Sequence, residues 1–119
     1  MEFYYHGTDR NVMILSADGG LSAGNADLFV DELGRLVDSG LRNLIVDCTE
    51  LGFISSYGIS VLLRIHFKMA KKGGDVKLAS VQGKVFRLLE MSRLHTVFEI
   101  YRDKEAAARA FADPAETPG

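Results

Sequence analysis

The sequence predicts a single α/β domain with a mixed, mostly parallel sheet and helices packed on it. Apolar runs typical of strands alternate with segments in which apolar residues recur every three or four positions, as they do on one helix face. The strongest strand, Leu44 to Cys48, is apolar except for Asp47, which indicates cover on both faces and parallel neighbours. Parallel neighbours need crossover connections, and the intervening helices supply them.

The predicted elements follow the order ββαβαβαβα. Two short strands form a hairpin, and the turn residues Asp18-Gly19-Gly20 separate the second strand from the first helix. That helix ends before Gly40, because glycine tolerates the left-handed conformation of a helix end. The predicted ranges are Glu2 to His6 and Asn11 to Ala17 for the hairpin, Ala23 to Asp38 for the first helix, Leu44 to Cys48 for the central strand, Ile59 to Met69 for the apolar stripe of the second helix, Val76 to Ala79 for the fourth strand, Val85 to Ser92 for the third helix, Val97 to Tyr101 for the fifth strand, and Lys104 to Phe111 for the last helix.

Length and composition favour one soluble domain. A chain of 119 residues can bury a real hydrophobic core. We expect the domain to span residues 1–112, since residues 113–119 hold both prolines and no large apolar side chain, which is typical of a frayed tail. The single cysteine, Cys48, excludes an internal disulfide, suits a reducing cytoplasm, and is expected to act as a small hydrophobe. Without a secretory signal or an apolar stretch of about 20 residues, we expect a cytoplasmic protein and no membrane insertion.

Several functional classes are not favoured. The net charge of −2 attracts no phosphate backbone, so nucleic-acid binding is not expected. The three histidines share no metal-ligand spacing with one another or with Cys48, so no metal site is expected. The glycine-rich segment Asp18 to Gly24 lacks the spacing and lysine of a phosphate-binding loop, so no cofactor is expected, and nucleotide or small-ligand binding there is a distant alternative. No nucleophile elbow is present, so we do not expect an enzyme.

The segment Ser55-Ser56-Tyr57-Gly58 lies where a strand leads into the second helix. A serine there can cap the helix, and the helix-start amides also favour an anion, so capping and phosphate acceptance are both open. A phosphoserine would add about −1.5 to −2 charges at the surface and would disturb a bound partner while sparing the fold. Tyr57 is either an interface anchor or packs on the neighbouring loop. Gly58 allows close approach of another chain or sharp entry into the helix, or it merely relieves packing.

The stretch from Leu44 to Leu62, L-I-V-D-C-T-E-L-G-F-I-S-S-Y-G-I-S-V-L, resembles the strand, turn, "D-S-[ST]-G-[LI]-G" motif and helix of the STAS domain of anti-sigma-factor antagonists. The run V-F-R-L-L-E-M-S from Val85 to Ser92 is similar to the family's "v-x-r-l-l-e-l-t" helix. The C-terminal part of the family's domain is similar to Phe98 to Tyr101 with Glu105-Ala106 here. The resemblance therefore covers about Met13 to Phe111. It implies the STAS fold.

The resemblance also implies a switch. In the family, the serine that matches Ser56 is phosphorylated by a partner that is both anti-sigma factor and serine kinase, and the unphosphorylated form captures that partner. Ser55 replaces the motif's aspartate, and the family's "G-E-L-D" loop appears here as Gly19-Gly20-Leu21-Ser22, so two carboxylates are lost. Phosphorylation-independent use as a scaffold, in a signalling assembly or a lipid-transport complex, is the alternative.

The resemblance predicts that Ser56 is the phosphorylation site and that it lies among the partner-binding residues Ser22, Ser55, Ser56, Tyr57, Gly58 and Ser60. Within this set, Tyr57 replaces the motif's second hydroxyl residue, and Ser60 replaces a usual glycine.

Overall fold

The computed structural model of the chain describes residues 2–6, 9–21 and 23–112. It confirms the predicted order of strands and helices. Residues 113–119, predicted to form a tail, lie outside the described residues. The elements are β1 (Glu2–His6), β2 (Asp9–Leu21), α1 (Ala23–Asp38), β3 (Asn43–Ile54), α2 (Ser56–Lys71), β4 (Asp75–Ala79), α3 (Gly83–Met91), a single 3₁₀ turn (Leu94–Thr96), β5 (Glu99–Tyr101) and α4 (Lys104–Ala112).

The five strands form one sheet in the order β1-β2-β3-β4-β5. β1 pairs with β2 antiparallel, and the other three pairs are parallel, so the predicted mixed sheet is confirmed. Alternate residues of a strand point to opposite faces. In β2, Met13 and Leu15 therefore join the main core under α1, α2 and α3, while Val12 and Ile14 face α4.

The end of β2 differs from the sequence prediction. Asp18, Gly19 and Gly20 do not form a turn, because β2 continues to Leu21 and pairs with an equally extended β3. The pairing register shifts twice, and Gly19 has a positive φ of 71°, a conformation that glycine adopts without strain. The turn prediction was wrong because strand pairing is not a local signal. As a result, β3 carries the chain well past β4 before α2 begins.

The fifth strand is shorter than predicted. The 3₁₀ turn and the helical conformation of Val97 precede it, and only Glu99 to Tyr101 pair with β4. Phe98 is nevertheless buried in the main core. The apolar character of this segment therefore reflects burial by side-chain packing and not a longer strand.

Candidate functional site

The first turn of α2 begins directly after β3, and Ser55 caps it. The Ser55 backbone is extended, with φ −85° and ψ 169°, and its hydroxyl oxygen accepts a hydrogen bond from the Gly58 amide at 3.1 Å. This bond satisfies one of the amides that a helix start leaves without an intrahelical partner. Serine and aspartate are about equally good at this position, so Ser55 retains the capping role although it lacks a carboxylate.

Ser56 is the first residue inside α2, and its side chain is exposed. Its hydroxyl forms no hydrogen bond with any residue that the structure describes. Of the two adjacent serines, one therefore holds the helix start and the other is open to solvent. The amides of the first turn and the positive end of the helix dipole lie beside this exposed hydroxyl, and both favour a negative charge.

Tyr57 links the starts of α1 and α2. Its hydroxyl donates a hydrogen bond to a carboxylate oxygen of Asp27, and the residue remains 37% exposed. The pKa of Tyr57 is raised, chiefly by this hydrogen bond, because ionisation of the phenol would remove the donated proton beside a carboxylate. Sequence reasoning missed Asp27, since nothing in the pattern of α1 distinguishes it from the other exposed acids of that helix.

The remaining predicted site residues are divided between the interior and the surface. Gly58 is buried in the first turn, where its amide donates to Ser55. Ser60 is exposed, and its hydroxyl donates to the Tyr57 carbonyl oxygen at 2.8 Å. Ser22 lies outside the described residues. The structure thus brings Ser55, Ser56, Tyr57 and Ser60 together at one helix start.

Cys48 is buried in β3. Burial raises the pKa of its thiol to about 12, and the neighbouring Asp47 charge adds to that effect. The prediction that this thiol acts as a small hydrophobe is confirmed, because the side chain is 2% exposed and packs within the main apolar core. Within residues 2–6, 9–21 and 23–112, no three histidine, cysteine or acidic side chains converge on a point where a metal ion could bind.

An open polar cleft of about 420 Å³ lies elsewhere, at the carboxyl ends of the strands on the side of α4. Two pairs of its side chains bond to one another: Thr49 donates to Asp47 at 2.6 Å, and Lys104 donates to the Tyr4 hydroxyl at 3.0 Å. None of the serines at the start of α2 lines it. No helix in the described part of the chain has the length and apolar character needed to cross a bilayer.

Comparison with known proteins agrees with this architecture and places the chain in a family. The profile of the STAS domain matches residues 7–107, so the chain belongs to the STAS domain family. The match includes the whole of β3 and α2, and hence every described residue of the site.

Two similar proteins are both named anti-sigma factor antagonists. The chain is 30% identical over 100 residues to BtrV of Bordetella bronchiseptica, provisionally named an anti-sigma factor antagonist, with 84% of this chain and 86% of BtrV covered. It is 28% identical over 100 residues to the anti-sigma F factor antagonist of Paenibacillus polymyxa, with 83% and 85% covered. A crystal structure from Thermotoga maritima, of another provisionally named antagonist, superposes with a TM-score of 0.83 over 91% of both chains at 23% identity, which shows a shared fold.

Proposed function

We propose that this chain is a non-catalytic cytoplasmic antagonist of an anti-sigma factor that is also a serine kinase, and that phosphorylation of Ser56 ends the complex. The proposal rests on the different roles of the two adjacent serines at the start of α2. Ser55 caps the helix, whereas Ser56 is exposed and makes no hydrogen bond with the described residues. The names of the two relatives support the choice of partner.

A phosphoryl group on Ser56 would change binding and not folding. At the first position of a helix, negative charge is stabilised by the dipole and by unpaired amides, so the fold tolerates it. A partner that covers this turn would have to desolvate or repel about −1.5 to −2 charges. The modification therefore acts on the complex.

The test is to mix the protein with a purified kinase-type anti-sigma factor from the same organism and ATP, then measure intact mass and complex formation. We expect one added phosphoryl group, which the Ser56→Ala variant does not acquire. The Ser60→Ala variant is the matched control, because Ser60 is another exposed serine of the same helix start, and it should still gain the group. No mass gain on Ser56 together with no complex would refute the proposal.

A phosphorylation-independent scaffold is the second candidate function. It is favoured by the absence of the motif's carboxylate at position 55. Ser55 provides the helix cap there but offers a kinase no negative charge. The two candidates differ in the response to Ser56→Asp, which mimics the added charge. A scaffold complex should survive this substitution, whereas strong disruption would eliminate the scaffold.

A further inference from the structure

One row of side chains on α2 faces solvent, and Ser56 is its first member. Residues separated by three or four positions lie on the same helix face, and this row falls within about 80° at 3.6 residues per turn. Every member is exposed. We call this row the outer stripe of α2; it consists of Ser56, Ser60, Arg64, Phe67 and Lys71.

The outer stripe carries charge of one sign. Helix α2 contains no aspartate or glutamate. Of its cations, Lys68 lies 3.9 Å from Asp38 on the neighbouring helix. Arg64 and Lys71 form no ion pair with any residue in the described part of the chain. An acidic protein with net charge −2 thus has a cationic strip beginning at the serine of the site.

Phe67 lies between these two cations and is 56% exposed. A single exposed apolar residue is ordinary on a protein surface. An aromatic ring between exposed cations has the composition of an interface centre, however, where aromatic residues and arginine supply much of the binding energy. The Phe67 ring lies in a T-shaped arrangement with the neighbouring His66 ring, with centroids 5.4 Å apart, and more than half of the side chain faces solvent. The outer part of the side chain is therefore available to a partner.

We propose that the outer stripe of α2 binds an acidic surface of the partner, with Phe67 as the aromatic anchor. The inference rests on the proposed function and specifies the partner's chemistry: carboxylates opposite Arg64 and Lys71, around an apolar pocket. It also gives phosphorylation a mechanism. A partner that extends along the stripe to its first turn brings its acidic surface over Ser56, so a phosphoryl group there repels it directly.

The test measures association and dissociation rates of the purified kinase-type anti-sigma factor at low and high salt. Opposite charges accelerate encounter, so Arg64→Glu and Lys71→Glu should each slow association at low salt by about tenfold, with smaller effects at high salt. The matched controls are Lys84→Glu and Arg87→Glu, which reverse exposed cations on α3, and these should leave the rate unchanged.

The aromatic anchor is tested separately. Phe67→Ala should accelerate dissociation by about tenfold or more, since truncated anchors act mainly on the off-rate. Met91→Ala is the control, because Met91 is 81% exposed on α3 and lies outside the stripe. Circular dichroism of each variant confirms that the fold is retained.

The outcomes separate the two proposals. If the wild-type chain binds and charge reversal on α2 leaves association unchanged or accelerates it, the acidic-partner inference is overturned and the antagonist function stands. If slowing occurs equally for the α3 controls, the effect is one of net charge, and the inference is again overturned. If the wild-type chain does not bind the anti-sigma factor, the proposed function fails, and this inference fails with it.

Discussion

The inner and outer stripes of α2 belong to one helix and have different tasks. Val61, Leu62, Ile65 and Met69 on the inner side are each no more than 3% exposed and contribute to the main core. The outer stripe starts at Ser56, is polar and cationic, and includes one exposed aromatic side chain. Substitutions on the inner side should therefore change stability, whereas those on the outer side should change binding.

The largest expected effect is on the inner stripe. Ile65→Ala removes buried methyl groups from a side chain that is 1% exposed, and should lower the free energy of unfolding by about 2–5 kcal/mol. Phe67→Ala, two positions away on the outer side, should change it by less than about 0.5 kcal/mol. Urea denaturation of both variants provides the measurement. Equal losses would show that the two stripes are not distinct.

The helix cap should have the next largest effect. Ser55→Ala removes the acceptor of the Gly58 amide and should cost about 1 kcal/mol of unfolding free energy. Ser55→Asp preserves the cap and should stay within a few tenths of a kcal/mol of the wild type, while restoring a carboxylate beside Ser56. Thermal and urea unfolding of the pair test this. A stable alanine variant would argue against a capping role for Ser55.

A negative charge at Ser56 should be mildly stabilising. Ser56→Asp places a carboxylate at the positive end of the helix dipole and should raise the free energy of unfolding by about 0.3–1 kcal/mol at low salt. The gain should diminish in about 1 M salt, where charges are screened within about 3 Å. A lower unfolding midpoint at low salt would contradict the placement of Ser56 at an exposed helix start.

The smallest expected effect concerns the contact between the starts of α1 and α2. Asp27 raises the pKa of Tyr57, so Asp27→Asn should lower that pKa toward its ordinary value. Tyrosinate absorbance during an alkaline titration reports the change, and Tyr57→Phe identifies the signal among the four tyrosines. Because the folded pKa is the raised one, the pair stabilises the fold below the ordinary tyrosine pKa and loses that contribution as pH rises through the folded value. An unchanged titration in Asp27→Asn would exclude the contact.

The fold was predictable because its signals are local. Apolar periodicity placed α1 at its observed bounds, and the continuous apolar run after Gly40 identified the central strand. Local pattern could not show that Asp18 to Leu21 pair with the end of β3, because that pairing depends on a distant segment. It also could not show that Lys77 is buried, where it pairs with Asp75 and Glu99.

The site was predictable only in part. The sequence located the two serines at a strand-to-helix junction. Which of them caps the helix and which is exposed could be decided only from the backbone geometry. The structure assigns the cap to Ser55 and leaves Ser56 exposed. The bond from Tyr57 to Asp27 joins residues thirty positions apart, and an exposed acid on a helix gives no signal of such a contact. The cationic character of α2 was readable in the sequence, but the exposure of the outer stripe could be established only from the packing of the inner stripe against the core.

The most direct measurement compares the chain carrying phosphoserine at position 56 with the unmodified chain in two assays, affinity for the kinase-type anti-sigma factor and urea unfolding. We predict an affinity lower by at least about tenfold, which corresponds to about 1.4 kcal/mol, with an unfolding midpoint that is not lowered. A phosphorylated chain that binds as tightly as the unmodified one, or that loses affinity only because it unfolds, would contradict the account.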